Sequence, residues 1–198
     1  YRVYLPHATR VRAVRTAPAS TDLLREARPS DDPGASYPAA AGYSAAGDVE
    51  APVVFAHRGS DADFARVRQA GVRVAGSVVL IRYGGSFRGA KVAAAERAGA
   101  AAVLLYSDPA EDGSERGAVF PAGPFRPDDA IERGSVKVAD PGDPTTPGRP
   151  STPGASRGSL ADARAGVPRI PVVAIGAAAA RELLAPMDGP VAPSTWQG

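Results

Sequence analysis

The sequence predicts an α/β domain built around a parallel sheet. Three observations carry that expectation. Residues 52–56 (PVVFA), 77–81 (SVVLI) and 102–106 (AVLLY) are short unbroken apolar runs, as expected of strands buried on both faces. Helix-like segments with recognisable start and stop residues separate them. A fourth run, 168–175 (PRIPVVAI), returns after a long interval and leads straight into a helical stretch at 177–184. Strand, helix, strand, helix, strand requires crossover connections, right-handed by rule, and therefore an at least partly parallel sheet.

Each element has its own justification. Residues 1–5 read as a strand, 11–15 as another, and 17–47 as a Pro-, Ser- and Asp-rich loop with one short strand near Leu23 and Leu24. After the first apolar run, Ser60 is a helix N-cap. Asp61 and Asp63 follow in the first turn, where carboxylates suit the helix dipole. Phe64 and Val67 supply the buried face, and Gly71 ends the helix. Gly84-Gly85 precede a second helix over about 86–98, stopped by Gly99. Residues 107–169 hold ten prolines and one expected strand, 135–138. Loops of this length are uncommon in compact domains unless they are functional or disordered. The chain shows neither an internal repeat nor a linker, so residues 1–198 are expected to form one domain, with 1–50 irregular β and loop.

Composition narrows the possibilities. Leu, Ile, Val and Phe together number 38 of 198 residues, so the core must draw on the 41 alanines. At roughly 25 cal/mol per Å² of apolar area, alanine adds little stability per residue. Without cysteine, neither a disulfide nor a thiolate zinc site can form. No apolar run reaches the length of about 18 residues that spans a bilayer, so no membrane segment is expected in this chain. A start at Tyr1, with neither Met nor an apolar leader, leads us to expect a piece of a longer protein. Arginine outnumbers lysine 21 to 2, a bias that a GC-rich genome produces. The arginines are scattered among 21 acids and lack the aromatic interleaving of a nucleic-acid surface, so no nucleic-acid partner is expected. Arg10 and Arg12 are expected on one solvated strand face.

Familiar catalytic constellations are missing from the sequence. His7 and His57 are the only histidines and have no ligand-like spacing. There is no GxSxG elbow, and Ser60 is better used as a cap than as a nucleophile. Gly84-Gly85-Ser86 lacks the lysine and glycine spacing of a phosphate loop. Asp128 and Asp129 are adjacent, so their side chains point apart.

Arg88 is the unusual residue. It falls in the first turn of a helix, where a cation opposes the dipole by up to about 1 kcal/mol. Free N–H groups there favour an anion, and a guanidinium fork adds a matched partner for carboxylate or phosphate. By position alone, such an arginine either binds a ligand anion or curls back to an acid or a loop carbonyl.

Six motifs add a resemblance. Ile81-Arg82-Tyr83-Gly84-Gly85-Ser86-Phe87-Arg88-Gly89-Ala90-Lys91-Val92 is similar to a stretch of the glutamate carboxypeptidase II family. So are Leu105-Tyr106-Ser107-Asp108-Pro109, Arg133-Gly134-Ser135, Asp143-Pro144-Thr145-Thr146-Pro147-Gly148 with Ile170-Pro171-Val172, and the closing Ser194-Thr195-Trp196-Gln197-Gly198. Their order and spacing match the protease-associated (PA, apical) domain of that family over nearly the whole chain. The resemblance implies the swivelling β/β/α fold, a mixed curved sheet or open barrel with flanking helices. It implies a non-catalytic insert that walls the substrate cleft of a two-zinc peptidase whose ligands lie outside this chain. The implied partners are that peptidase domain and the C-terminus of a peptide substrate, in an extracellular or periplasmic setting.

Individual positions carry over. Arg88 matches the arginine that grips the substrate α-carboxylate. Ser135 stands where the family has asparagine; it keeps a donor on a shorter arm, which leaves the second contact and a preference for glutamate open. Thr146 and Arg149 stand where two backbone carbonyls face a calcium ion, completed by carboxylates of the missing domain. Asp128-Asp129-Ala130 replaces a glycine run, and its two acids are expected to repel an acidic substrate. A pure interaction module and an aminopeptidase insert are the alternative readings.

Overall fold

The computed structural model describes residues 10–25, 38–138, 142–163 and 166–197; the strand expected at 1–5 lies outside them. Four strands form one parallel sheet in sequence order: β3 (Val53–Phe55), β4 (Val78–Arg82), β5 (Ala102–Tyr106) and β6 (Val172–Ile175). A two-stranded hairpin, β1 (Val14–Arg15) and β2 (Thr21–Asp22), precedes them. β5, flanked on both sides, is buried at every position, whereas the edge strand β3 is only half-buried.

Period-two alternation sorts the side chains onto two faces. Val79, Ile81, Val103 and Leu105 meet Phe64 of α1 (Asp61–Gln69) and Val92 of α2 (Arg88–Arg97), with Trp196 closing the cluster. Leu80, Leu104, Tyr106 and Ile175 meet Ala180 and Leu183 of α5 (Ala177–Leu184). Each crossover helix thus has an apolar face to cover, and the expected α/β class is the observed one.

Helix starts follow local chemistry. Ser60 Oγ accepts the Asp63 N–H at 3.1 Å, and the Asp63 carboxylate accepts the Ser60 N–H at 3.0 Å, a reciprocal capping box. α2 starts at Arg88, two residues later than expected, because Gly84 (φ 86°) and Gly85 (φ 77°) are left-handed and Phe87 is extended. Gly99 (φ 87°) ends it.

The sheet is mixed at its β6 edge. Ala40 bridges Val173 in antiparallel sense, and Gly42 bridges Ser135 in parallel sense. The strand expected at 135–138 is only this one bridge. The partner segment turns away at Tyr43 (φ 68°), and the Val138 N–H goes instead to Gly166 O at 3.1 Å. The strand expected at 11–15 is likewise short. Its ladder holds only two residue pairs, and the exposed Arg10 and Arg12 precede it. Arg15 anchors the hairpin by donating to Glu182 O at the C-terminal end of α5 (2.8 Å) and to Thr21 Oγ1 (3.0 Å).

The Pro-rich region is more structured than its sequence suggests. It holds two one-turn helices, α3 (Pro109–Asp112) and α4 (Leu160–Ala163), and a 3-10 turn at Ser114–Arg116. Asp108 caps α3 through the Ala110 N–H (3.1 Å), and Pro109 occupies the first helical position. Among the described residues no helix is long and apolar enough to cross a membrane.

Candidate functional site

The loops after β3, β4 and β5 meet at the carboxyl ends of the parallel strands, where open α/β sheets commonly bind ligands. Lys91 fixes the first two of these loops. Its side chain is almost wholly buried, and Nζ donates to Arg58 O and Gly84 O, each at 2.6 Å. Burial, with help from the Arg58 charge, pushes its pKa down to about 8. Arg82 and Asp108 form a buried ion pair (2.8 Å) that locks the ends of β4 and β5 together. Arg58 pairs with Glu111, and Arg126 with Asp112 (2.9 Å).

Arg88 rises from the first turn of α2 into this frame. Its Nη2 donates to Glu132 Oε1 at 2.9 Å, and its guanidinium lies over the Tyr83 ring, 5.3 Å from the centroid. Glu132 Oε2 accepts the Ser107 hydroxyl at 2.9 Å and lies 3.7 Å from Arg126 Nη2. The Tyr83 hydroxyl donates to Glu132 O at 3.0 Å. Burial, then the Glu132 charge, pushes that hydroxyl up to about 12, so it remains a donor at neutral pH. Gly134 lies against the guanidinium. A Cβ at that position would lie 2.1 Å from Arg88 Nη1, so a side chain there would displace the guanidinium from this position. Arg88 Nε is buried and unpartnered among the described residues.

Of the two outcomes open to Arg88 by position, the structure displays the return to an acid. That acid is Glu132, 44 residues away. Sequence reading missed it, although it immediately precedes the quoted Arg133-Gly134-Ser135; no helical or strand spacing links it to Arg88. Ser135 lies one residue beyond Gly134, but its Oγ accepts the Lys137 N–H at 3.3 Å and takes no bond from Arg88. Asp128 is occupied elsewhere. It accepts from Arg181 and from Ser114 Oγ (2.6 Å), its carboxyl is held below the usual range, and its main-chain oxygen takes the Ala178 N–H (2.8 Å).

Thr146 and Arg149 sit in a turn apart from these contacts. Thr146 is buried, its carbonyl accepts the Arg149 N–H at 3.1 Å, and its hydroxyl is buried without a partner among the described residues. The exposed Arg149 side chain donates to Ser156 O (3.1 Å). Calcium takes about six to eight oxygens. Two carbonyls supply fewer oxygens than that, and the expected site takes its remaining ligands from outside this chain. Among the described residues no group of three or more His, Asp or Glu is placed to hold a metal ion. His57 (φ 51°) is stacked on Trp196 at 4.9 Å with Nδ1 3.3 Å from Asp63, and burial above all lowers its pKa.

Fold and site together define an α/β module with a guanidinium–carboxylate centre on its strand-end loops. The chain belongs to the PA domain family, whose pattern matches residues 37–183. It is 38% identical over 162 residues to a glutamate carboxypeptidase 2 homolog of Caenorhabditis briggsae, covering 79% of this chain and 21% of that protein. It is 38% identical over 170 residues to aminopeptidase NAALADL1 of Rattus norvegicus (84% and 22%). It is 35% identical over 178 residues to transferrin receptor protein 2 of Mus musculus (88% and 20%). The chain spans about a fifth of the length of these relatives.

Proposed function

We propose that this chain is the non-catalytic PA domain of a zinc-dependent, glutamate carboxypeptidase-like peptidase. In this reading it walls the substrate cleft, and Arg88 grips the α-carboxylate at the peptide C-terminus. The observation that carries the reading is Arg88 itself. It is a partly exposed guanidinium already shaped around a carboxylate, raised on a strand-end frame. Ser135 follows the glycine that makes room for the guanidinium and supplies a second donor to the ligand. Zinc would be bound by the peptidase domain that is this module's partner in the same chain.

The test uses the full-length parent enzyme. Arg88→Ala is expected to raise KM and to lower kcat/KM roughly 10- to 100-fold on peptides with a free C-terminus, the loss of a charge-assisted hydrogen bond. Amidated peptides should be poor substrates of the unmodified enzyme. Equal turnover of free and amidated peptides sinks the reading. The similarity to aminopeptidase NAALADL1 favours an aminopeptidase insert as the second reading, and it predicts that equality. The similarity to transferrin receptor protein 2 supports an interaction module, which would turn over neither peptide.

A further inference from the structure

Glu132 places a carboxylate of the chain itself on the arginine that is read above as a carboxylate grip. The two side chains are about equally exposed, at 25% and 24%, unlike the Arg82–Asp108 pair at 10% and 9%. Glu132 is also held from behind. Ser107 Oγ takes its second oxygen, and Tyr83 takes its main-chain carbonyl. It is therefore a fixed charge, not a side chain swept aside by the first anion to arrive.

The local charge count follows from the pairs. Arg88 is matched by Glu132, and Arg126 by Asp112, so these four groups sum to zero. Arg133 turns to Ile131 O (3.0 Å). One incoming carboxylate can use the exposed part of the Arg88 guanidinium. A second carboxylate, a few bonds away on the same residue, would meet the Glu132 charge in a partly desolvated setting. Asp128, one of the two acids that the sequence offers for repelling acidic substrates, is committed to Arg181 and Ser114.

We propose that Glu132 is the specificity-determining residue of the Arg88 site: it holds part of the guanidinium and selects C-terminal residues with neutral side chains over those bearing a second carboxylate. This inference rests on the reading of Arg88 given above. It separates two ligands of similar shape, glutamine and glutamate, by the charge of the one and the donor amide of the other.

The experiment measures binding of N-acetylglutamine, N-acetylglutamate and N-acetylglutaminamide to the full-length protein that carries this chain, by calorimetry or NMR titration. The unmodified protein is expected to bind N-acetylglutamine about tenfold more tightly than N-acetylglutamate. Glu132→Gln should erase most of that ratio while keeping the preference for free acid over amide. Ser107→Ala, which loosens Glu132 without removing it, should shift the ratio the same way by less, and it serves if Glu132→Gln fails to fold. An unchanged ratio in the folded variants, with the acid-over-amide preference intact, overturns the role of Glu132 alone. Tighter binding of N-acetylglutamate by the unmodified protein does the same. Absence of any acid-over-amide preference overturns both this inference and the reading beneath it.

Discussion

The βαβαβ unit at residues 53–106 and the Pro-rich segment at 107–163 are held by different physics. In the first, Val79, Leu80, Ile81, Val92 and Leu105 are fully buried, and β4 and β5 share five register pairs. In the second, the buried apolar residues among those described are Ile131, Val136 and Ala163. Its fixed points are polar. The buried Asp143 carboxylate accepts Thr145 N–H (2.8 Å), Thr145 Oγ1 (2.6 Å), Ser151 Oγ (3.1 Å) and Arg157 (3.0 Å). Apolar burial is non-directional and spreads over many neighbours, whereas a carboxylate hub is directional and concentrated in a few bonds. The site straddles the two. Arg88 is carried by the first region and Glu132 by the second.

The largest expected effect lies in the first region. Leu105→Ala removes a fully buried side chain from the central strand and should cost about 2–5 kcal/mol of global stability, read by chemical denaturation. A loss under 1 kcal/mol would mean that the sheet is not the stability core. Next comes the hub. Asp143→Ala should cost about 2–3 kcal/mol, felt as local opening of residues 142–163. Proteolysis in that segment should accelerate while the sheet's denaturation midpoint moves less than in Leu105→Ala. Equal global shifts would erase the distinction drawn between the regions.

The smallest effect probes a polar device inside the apolar region. Folding lowers the Lys91 pKa to about 8 from its ordinary 10.5, chiefly by burial, among the charges of Arg58, Asp63, Glu111 and Arg82. Below pH 8 both the folded and the unfolded chain hold the proton, and the full penalty applies. As pH rises above 8 the folded form releases it first, so stability should increase by about 1–2 kcal/mol between pH 8 and 9.5. Above pH 10 the slope should turn over, because burial raises Tyr83 and Tyr106 to about 12 while unfolded tyrosines ionise. Lys91→Met should lack the rise, and matching pH slopes for the two proteins would rule out this role for Lys91.

The regularly repeating parts were legible in the sequence. β5 and α5 fall on the expected bounds, and Ser60 is the cap its context predicts, because side-chain period and capping chemistry act over a few residues. The short β1 and the single bridge at Ser135 were not legible. A strand lasts only while its partner runs beside it, and Tyr43 turns that partner away. Half of the Arg88–Glu132 pair was also legible: Arg88 stood out as a cation at a helix start. Glu132, the Gly134 contact and the Asp143–Arg157 pair have no short-range signature.

The sequence by itself determined the α/β class, the family and the place of Arg88 at the head of a helix. Only the tertiary structure decided what faces that arginine. Its partner is chosen by the path of a loop 44 residues downstream. That path is set by many weak polar contacts and one close backbone approach at Gly134, none of which imposes a period on the chain.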